Sequence, residues 1–190
     1  MIKSNSTNTT DIELRNCGLI TLCNKIANDS IDKVIRELLY MNAIEKPEFK
    51  NIQIILNSSG GDLYASFMLT DFIDYSRLPV FITGLGVCAS SGILILCSGE
   101  KGYRTITNNT SLLSHQYSWY QEDKYHEMVA TRKQQDLLQE RIINHYIKHT
   151  KLNRKKIIEI LLPKSDVWLT AREAKKYGII DKIIDKEIQV

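Results

Sequence analysis

A serine attacks a carbonyl efficiently when a base takes its proton, a third group orients that base, and N–H donors face the developing oxyanion. The chain offers candidates for these parts. Gly86-Val87-Cys88-Ala89-Ser90-Ser91-Gly92 joins a run that reads as a buried strand, Val80-Phe81-Ile82-Thr83, to one that reads as a buried helix, Ile93-Leu94-Ile95-Leu96-Cys97. Small residues at such a junction let the backbone turn sharply. They also leave a serine at a helix start, where the first N–H groups lack intrahelical partners and the dipole is positive. Asn57-Ser58-Ser59-Gly60-Gly61-Asp62 is a second break of this kind. Of the four histidines, His115 closes the apolar run Leu112-Leu113-Ser114 just before a loop. That position suits either a base or a hydrogen-bonded core histidine, the commoner case. His126 falls in a charged stretch and is expected to face solvent. His145 and His149 share a helical face, but Tyr146 follows the first, so the H-E-x-x-H zinc pattern is absent and no metal is expected. The acids are too numerous for composition to pick an orienting one. Cys88 stands where a G-x-S-x-G elbow needs its first glycine, which disfavours an α/β-hydrolase.

The elements that must position these residues follow from periodicity and punctuation. Gly18–Cys23 and Ile52–Leu56 read as strands. Between them Ile31, Val34, Ile35, Leu38 and Leu39 recur at helical spacing behind an Asp29-Ser30 cap. Leu63 to Tyr75 reads as a mostly buried helix, and Pro79 precedes the next strand. Tyr103–Thr107 and Ser111–Gln116 read as strands on either side of an Asn108-Asn109 turn. From about Glu122 to Thr150 there is no Gly or Pro, and Val129, Leu137, Leu138, Ile142, Ile143, Tyr146 and Ile147 line one face. A helix of about 28 residues is about 42 Å long, more than a domain of this size needs, so it is expected to pack on another copy. A short helix covers Arg154–Leu162. Thr170-Ala171-Arg172-Glu173 is a capping box for a last helix that Gly178 ends, and Ile179–Ile184 closes the pattern. Strands alternating with helices predict an α/β fold with a mainly parallel, covered sheet. Ligand sites in such sheets form at strand-to-helix junctions, so Gly60-Gly61 and Ser90-Ser91 are expected side by side.

Composition bounds the function classes. With 190 residues, 43% hydrophobic and 25% charged, the chain suits one globular domain, expected over residues 18–190 behind a flexible arm over 1–17. A net charge of +3 with interspersed signs gives no footprint for nucleic acid or an anionic membrane. No apolar run has the length of a membrane span, and residues 1–10 lack the apolar core of a signal peptide. Cys17, Cys23, Cys88 and Cys97 form no C-x-x-C pair and lie in or beside apolar runs. They are expected to be reduced, buried thiols in a cytoplasmic protein.

Five blocks appear in order: Asn57 to Gly61, Gly86 to Gly92, Gly99-Glu100-Lys101-Gly102-Tyr103-Arg104, His115-Gln116, and Ala171 to Asp181. In sequence and spacing they resemble the Clp protease proteolytic subunit (ClpP), over residues 18 to 184. The resemblance implies a ClpP/crotonase-like fold of ββα repeats with a projecting handle, here about residues 117–150. It makes Ser90 the nucleophile, His115 the base and Asp166, just before Val167-Trp168-Leu169-Thr170-Ala171, the orienting acid. Gly61 and Ser91 match the two backbone oxyanion donors, with Ser91 in place of the usual methionine. Family membership implies ATP-dependent proteolysis of unfolded polypeptides in homo-oligomeric heptameric rings stacked as a tetradecamer. An AAA+ unfoldase of ClpX or ClpA type would feed it. The chain has no Walker A pattern, so it needs no cofactor and ATP use belongs to that partner.

Some positions depart from the family. Ser59 replaces a proline, Tyr117-Ser118-Trp119-Tyr120 replaces a glycine-rich stretch, and Gln53 and Ile55 replace aromatic residues of the unfoldase-docking pocket. Together they resemble divergent, phage-borne members. The rival expectations are a catalytically silent ring subunit that modulates a host protease, a signal-peptide-peptidase-like serine protease, and an acyl-CoA-binding crotonase. The lack of a membrane segment disfavours the second of these, and the Ser90–His115 spacing disfavours the third.

Overall fold

The computed structural model describes residues 9–118 and 124–185. In chain order the elements are α1 (Thr9–Asn16), β1 (Leu19–Leu22), α2 (Asn28–Ala43), β2 (Ile52–Ser58), α3 (Leu63–Tyr75), β3 (Val80–Ala89), α4 (Ser91–Ser98), β4 (Arg104–Thr107) and β5 (Ser111–Ser114). There follow α5 (Tyr125–His149), α6 (Arg154–Lys156) running into a π-helical turn (Ile157–Leu161), β6 (Val167–Leu169), α7 (Ala171–Tyr177) and β7 (Lys182–Ile184).

Strands β1-β2-β3-β4-β7 lie side by side in that order, and each neighbouring pair is parallel. Parallel pairing needs a crossover, and the helices supply it. Alternate strand residues point to opposite faces. Ile52, Ile54 and Leu56 of β2, with Val80 and Ile82 of β3 and Ile106 of β4, form the buried face. Helix α4 packs between that sheet and α3, and every residue from Ser91 to Ser98 is buried. A helix apolar all round belongs in the middle of a core, and Ile93-Leu94-Ile95-Leu96-Cys97 meets that requirement. The sheet is mixed, because β5 pairs parallel with the far end of β3 and antiparallel with β6.

Strands β4 and β5 lie end to end along one side of β3. Ile82–Gly84 pair with Arg104–Ile106, and Val87–Ala89 pair with Ser111–Leu113. The step between them coincides with a bulge in β3, where the register against β2 shifts between Leu56/Gly84 and Ser58/Cys88. Gly86 makes that bulge at φ +65°, and the Asn57 side chain accepts the Val87 amide at 3.2 Å. The segment read from sequence as a small-residue turn is therefore strand through Ala89.

An ion pair ties the far side of the core together. Arg104, 4% exposed, donates to both carboxylate oxygens of Asp181, at 2.8 Å from Nε and 2.7 Å from Nη2. Its Nη1 reaches the carbonyls of Cys97, at 3.1 Å, and His149, so the ends of α4 and α5 meet on one guanidinium. The Asp181 carboxylate also accepts the Gly102 and Arg104 amides at 2.8 and 3.1 Å. Burial alone would raise the Asp181 carboxyl, but the Arg104 bonds and charge overcome it and hold it below its usual range.

Helix α5 spans 25 residues, about 37 Å. Leu138, Ile142, Ile143 and Tyr146 pack its C-terminal half onto α4 and the π-helical turn. Gln134 donates to the Tyr64 hydroxyl of α3, and the Tyr117 hydroxyl donates to the Gln135 carbonyl at 3.0 Å. His145 and His149 do share a face, with ring centroids 4.5 Å apart. The expected solvent position of His126 lies outside the described side chains. Among the described residues no helix is long and apolar enough to cross a membrane.

Other expectations change. Of the arm expected over residues 1–17, Thr9–Asn16 is helical, and residues 1–8 lie outside those described. The α2 cap comes from Ser30 in the first turn, whose hydroxyl accepts the Ala27 amide at 3.0 Å. Cys88 and Cys97 are buried, and burial pushes each thiol up to about 12. Cys17 and Cys23 are exposed instead, because they lie just past the ends of α1 and β1.

Candidate active site

Three chain segments converge where β2, β3 and β5 end. Ser90 sits between β3 and α4 at φ 54° and ψ −124°, and it is the only non-glycine residue at positive φ among the described residues. Such a conformation costs a side-chain-bearing residue about 1–3 kcal/mol and persists only where neighbours impose it. Here both neighbours do. On one side the Ser90 amide donates to the Leu113 carbonyl at 2.7 Å, which continues the pairing of β3 with β5. On the other side α4 begins at once, and Ile93 N donates to the Ser90 carbonyl at 3.0 Å. Within the protein the Ser90 hydroxyl caps nothing.

The Gly60-Gly61 pair comes from the end of β2. Ile26 forms an isolated parallel bridge with Gly61: Ile26 N donates to Gly60 O at 3.0 Å, and Asp62 N to Ile26 O at 2.9 Å. At Gly60 (φ +90°) a Cβ would stand 2.5 Å from the Ala89 carbonyl and 2.7 Å from the Ser90 Cβ. At Gly61 it would meet the Ile26 carbonyl at 2.0 Å. Two glycines are required because this backbone presses against its own bridge partner and against the serine turn. The Ser58 hydroxyl accepts the Gly60 amide at 3.1 Å, and Asp62 caps α3 by accepting the Ala65 amide at 2.7 Å.

His115 follows the last residue of β5, two positions after the carbonyl that holds Ser90. It is partly buried, and its Nδ1 bonds the Gln116 carbonyl. A carbonyl only accepts, so Nδ1 is the donor here; in the neutral ring that leaves the lone pair on Nε2, the tautomer a base needs. The loop after β5 is anchored by the Ser114 hydroxyl on the Leu161 carbonyl and by Gln116 Nε2 on the Leu162 carbonyl at 3.0 Å.

Asp166 immediately precedes β6. The antiparallel rungs are Leu112↔Leu169, Leu113↔Trp168 and Ser114↔Val167. The last rung is Ser114↔Val167, which leaves His115 and Asp166 as the next residues beyond it on the two segments. In this structure Asp166 is exposed and makes no side-chain hydrogen bond among the described residues, while His115 Nδ1 is turned to Gln116. The ladder stops one residue short of both, and their side chains are not joined.

Ser91 differs from its sequence-based role as a backbone donor alone. Its hydroxyl accepts the Gly61 amide at 3.0 Å and donates to the Gly61 carbonyl at 3.3 Å. This role, and those of Asn57 and Ser58, carried no signal in the sequence beyond a polar residue beside a glycine.

The arrangement is a strained serine at a strand-to-helix turn, a histidine in the base tautomer on the neighbouring strand, and a glycine backbone facing the start of α4. The family model for Clp protease matches residues 3–187. The ATP-dependent Clp protease proteolytic subunit of Deinococcus radiodurans is 28% identical over 161 residues, which cover 85% of this chain and 77% of that protein. Matched over nearly its whole length, the chain belongs to the Clp protease family.

Proposed function

We propose that the chain is a serine endopeptidase and the proteolytic subunit of a chambered, ATP-dependent protease. The observation that carries this reading is the strained Ser90, held between the Leu113 carbonyl and α4 with the Gly60-Gly61 backbone against it. His115 takes the Ser90 proton as Oγ bonds to a peptide carbonyl carbon. The amides of Gly61 and Ser91 receive the oxyanion. His115 then returns the proton to the leaving amine, and water, activated in the same way, releases the acyl group. Asp166 orients His115 through Nδ1 once its carboxylate replaces the Gln116 carbonyl there. Extended polypeptides are the substrate class, because main-chain pairing along a strand edge accepts any sequence. Rings of this subunit, stacked with the handle helices between them, would enclose the sites, and an AAA+ unfoldase would supply substrate.

A second reading, a ring subunit that does not cut, is favoured by the exposed, unjoined Asp166 and by the sheet face away from the helices. There Gln53 Nε2 donates to Thr83 Oγ1 at 2.9 Å, and Thr83 and Thr105 share a 2.7 Å bond, a polar ladder across three strands. One assay decides between the two. The native particle should cleave a fluorogenic peptide and take a serine-directed phosphonate on Ser90, and Ser90→Ala should lose both while keeping the particle mass. An assembled wild type that is neither labelled nor active refutes the enzyme; a monomeric mass refutes the ring.

A further inference from the structure

The Gly60-Gly61-Asp62 segment is held in place without Ser91. Its outer anchors are the two Ile26 bonds at 3.0 and 2.9 Å, the Ser58 hydroxyl at 3.1 Å and the Asp62 cap at 2.7 Å. In extended backbone, successive residues send their N–H and C=O to opposite sides. Gly60 O and Asp62 N face Ile26, so the Gly61 pair faces the other way, toward α4. Both Gly61 groups end on one atom there, the Oγ of Ser91, whose side chain is buried with 1% exposure.

We propose that the Ser91 hydroxyl is a latch on the Gly61 amide. It occupies the N–H that the oxyanion must receive, so each acylation begins by transferring that N–H from Ser91 Oγ to the substrate oxygen. The latch rests on the proposed acyl transfer by Ser90. When the N–H leaves, the hydroxyl keeps the Gly61 carbonyl as its acceptor, so no buried donor is stranded and one neutral hydrogen bond is exchanged. Such a bond corresponds to about two- to tenfold in rate. The exchange accompanies charge development at the carbonyl, so it lowers kcat and leaves KM in place. Ser91 is thus a positioning residue that acts through Gly61.

Ser91→Ala in the native particle should raise kcat for a fluorogenic peptide about two- to tenfold with KM unchanged, and should raise the rate of phosphonate labelling of Ser90 by a similar factor. A kcat that is unchanged or lower overturns the latch, while labelling of Ser90 in the same sample leaves the peptidase standing. If the phosphonate labels neither protein, the peptidase fails and the latch with it. A crystal structure of the phosphonylated wild type tests the same point without a variant. The Gly61 amide should lie on the phosphonyl oxygen with Ser91 Oγ released from it; an amide still on Ser91 Oγ overturns the proposal.

Discussion

Replacing Asp181 with asparagine tests how the core is fastened behind the site. The carboxylate takes four bonds in this structure: the amides of Gly102 and Arg104, and Nε and Nη2 of Arg104. Asparagine keeps one acceptor oxygen but turns an NH₂ toward a guanidinium that only donates. Arg104 remains 4% exposed with a charge that only carbonyls solvate. Removing one partner of a buried pair costs about 3–5 kcal/mol. Asp181 retains 22% exposure, which places this case near the lower end, about 3 kcal/mol. With a urea slope of about 2–3 kcal/mol per molar, the midpoint should fall by about 1–1.5 M near neutral pH. The pH dependence has a fixed sign. The folded pKa of Asp181 lies below its unfolded value of about 3.9, so the stabilisation is complete above that value and is lost as pH falls through the folded pKa. The gap between wild type and Asp181→Asn should therefore close under acid. Equilibrium urea unfolding at fixed protein concentration, in a pH series, measures it. A gap under about 0.5 kcal/mol at neutral pH, or one that stays constant into strong acid, would refute the reasoning.

Other consequences can be measured directly. On the proposed mechanism, Asp166→Asn should lower kcat by about 10²–10⁴-fold with little change in KM, because it removes the carboxylate proposed to orient His115 under turnover; equal rates would place the orienting group elsewhere. Gly60→Ala drives a Cβ to 2.5 Å from the Ala89 carbonyl and 2.7 Å from Ser90 Cβ at φ +90°, so peptidase activity should drop more than about 10²-fold with far-UV circular dichroism retained. Activity near wild type would mean that the serine turn tolerates displacement. His149 is pushed down to about 4, first by burial and then by His145, while Asp74 opposes, so it stays neutral where an unfolded histidine takes a proton. Stability should fall as pH drops from about 6.5 to about 4, at up to ~1.4 kcal/mol per pH unit, and His149→Phe should flatten that slope in urea midpoints. A slope that survives the substitution would assign it to other groups.

Legibility in the sequence followed the range of the forces involved. Strands β1 and β2 and helix α7 could be read directly, since β-branched runs and the Thr170–Glu173 box act within a few residues; the box closes at 3.2 and 2.9 Å. The extension of β3 to Ala89 was hidden, because Gly84 and Gly86 are poor strand formers alone; β2 and β4 hold Gly84, while Asn57 and β5 hold Val87–Ala89 beyond the bulge. The π-helical turn after α6 depends on packing of Ile157 and Leu161 rather than on any local pattern. Ser90 and the Gly60-Gly61 turn were legible because each marks a break between apolar runs. Asp166 could be nominated only through family spacing, since it lies just beyond a cross-strand ladder between segments far apart in the chain. The Ser91–Gly61 contact is long-range too, and nothing in a Ser-Ser dipeptide says which hydroxyl will turn inward.

The three-rung ladder between β5 and β6 also sets a timetable. A ribosome delivers β2, β3 and β5 first, then the whole of α5, and β6 only afterwards. Until β6 docks against β5, Asp166 is not brought to the end of β5, and until β7 reaches β4, Asp181 has not closed on Arg104. On the proposed reading, a half-made chain therefore carries Ser90 and His115 before either Asp166 or the Arg104–Asp181 clasp is in place.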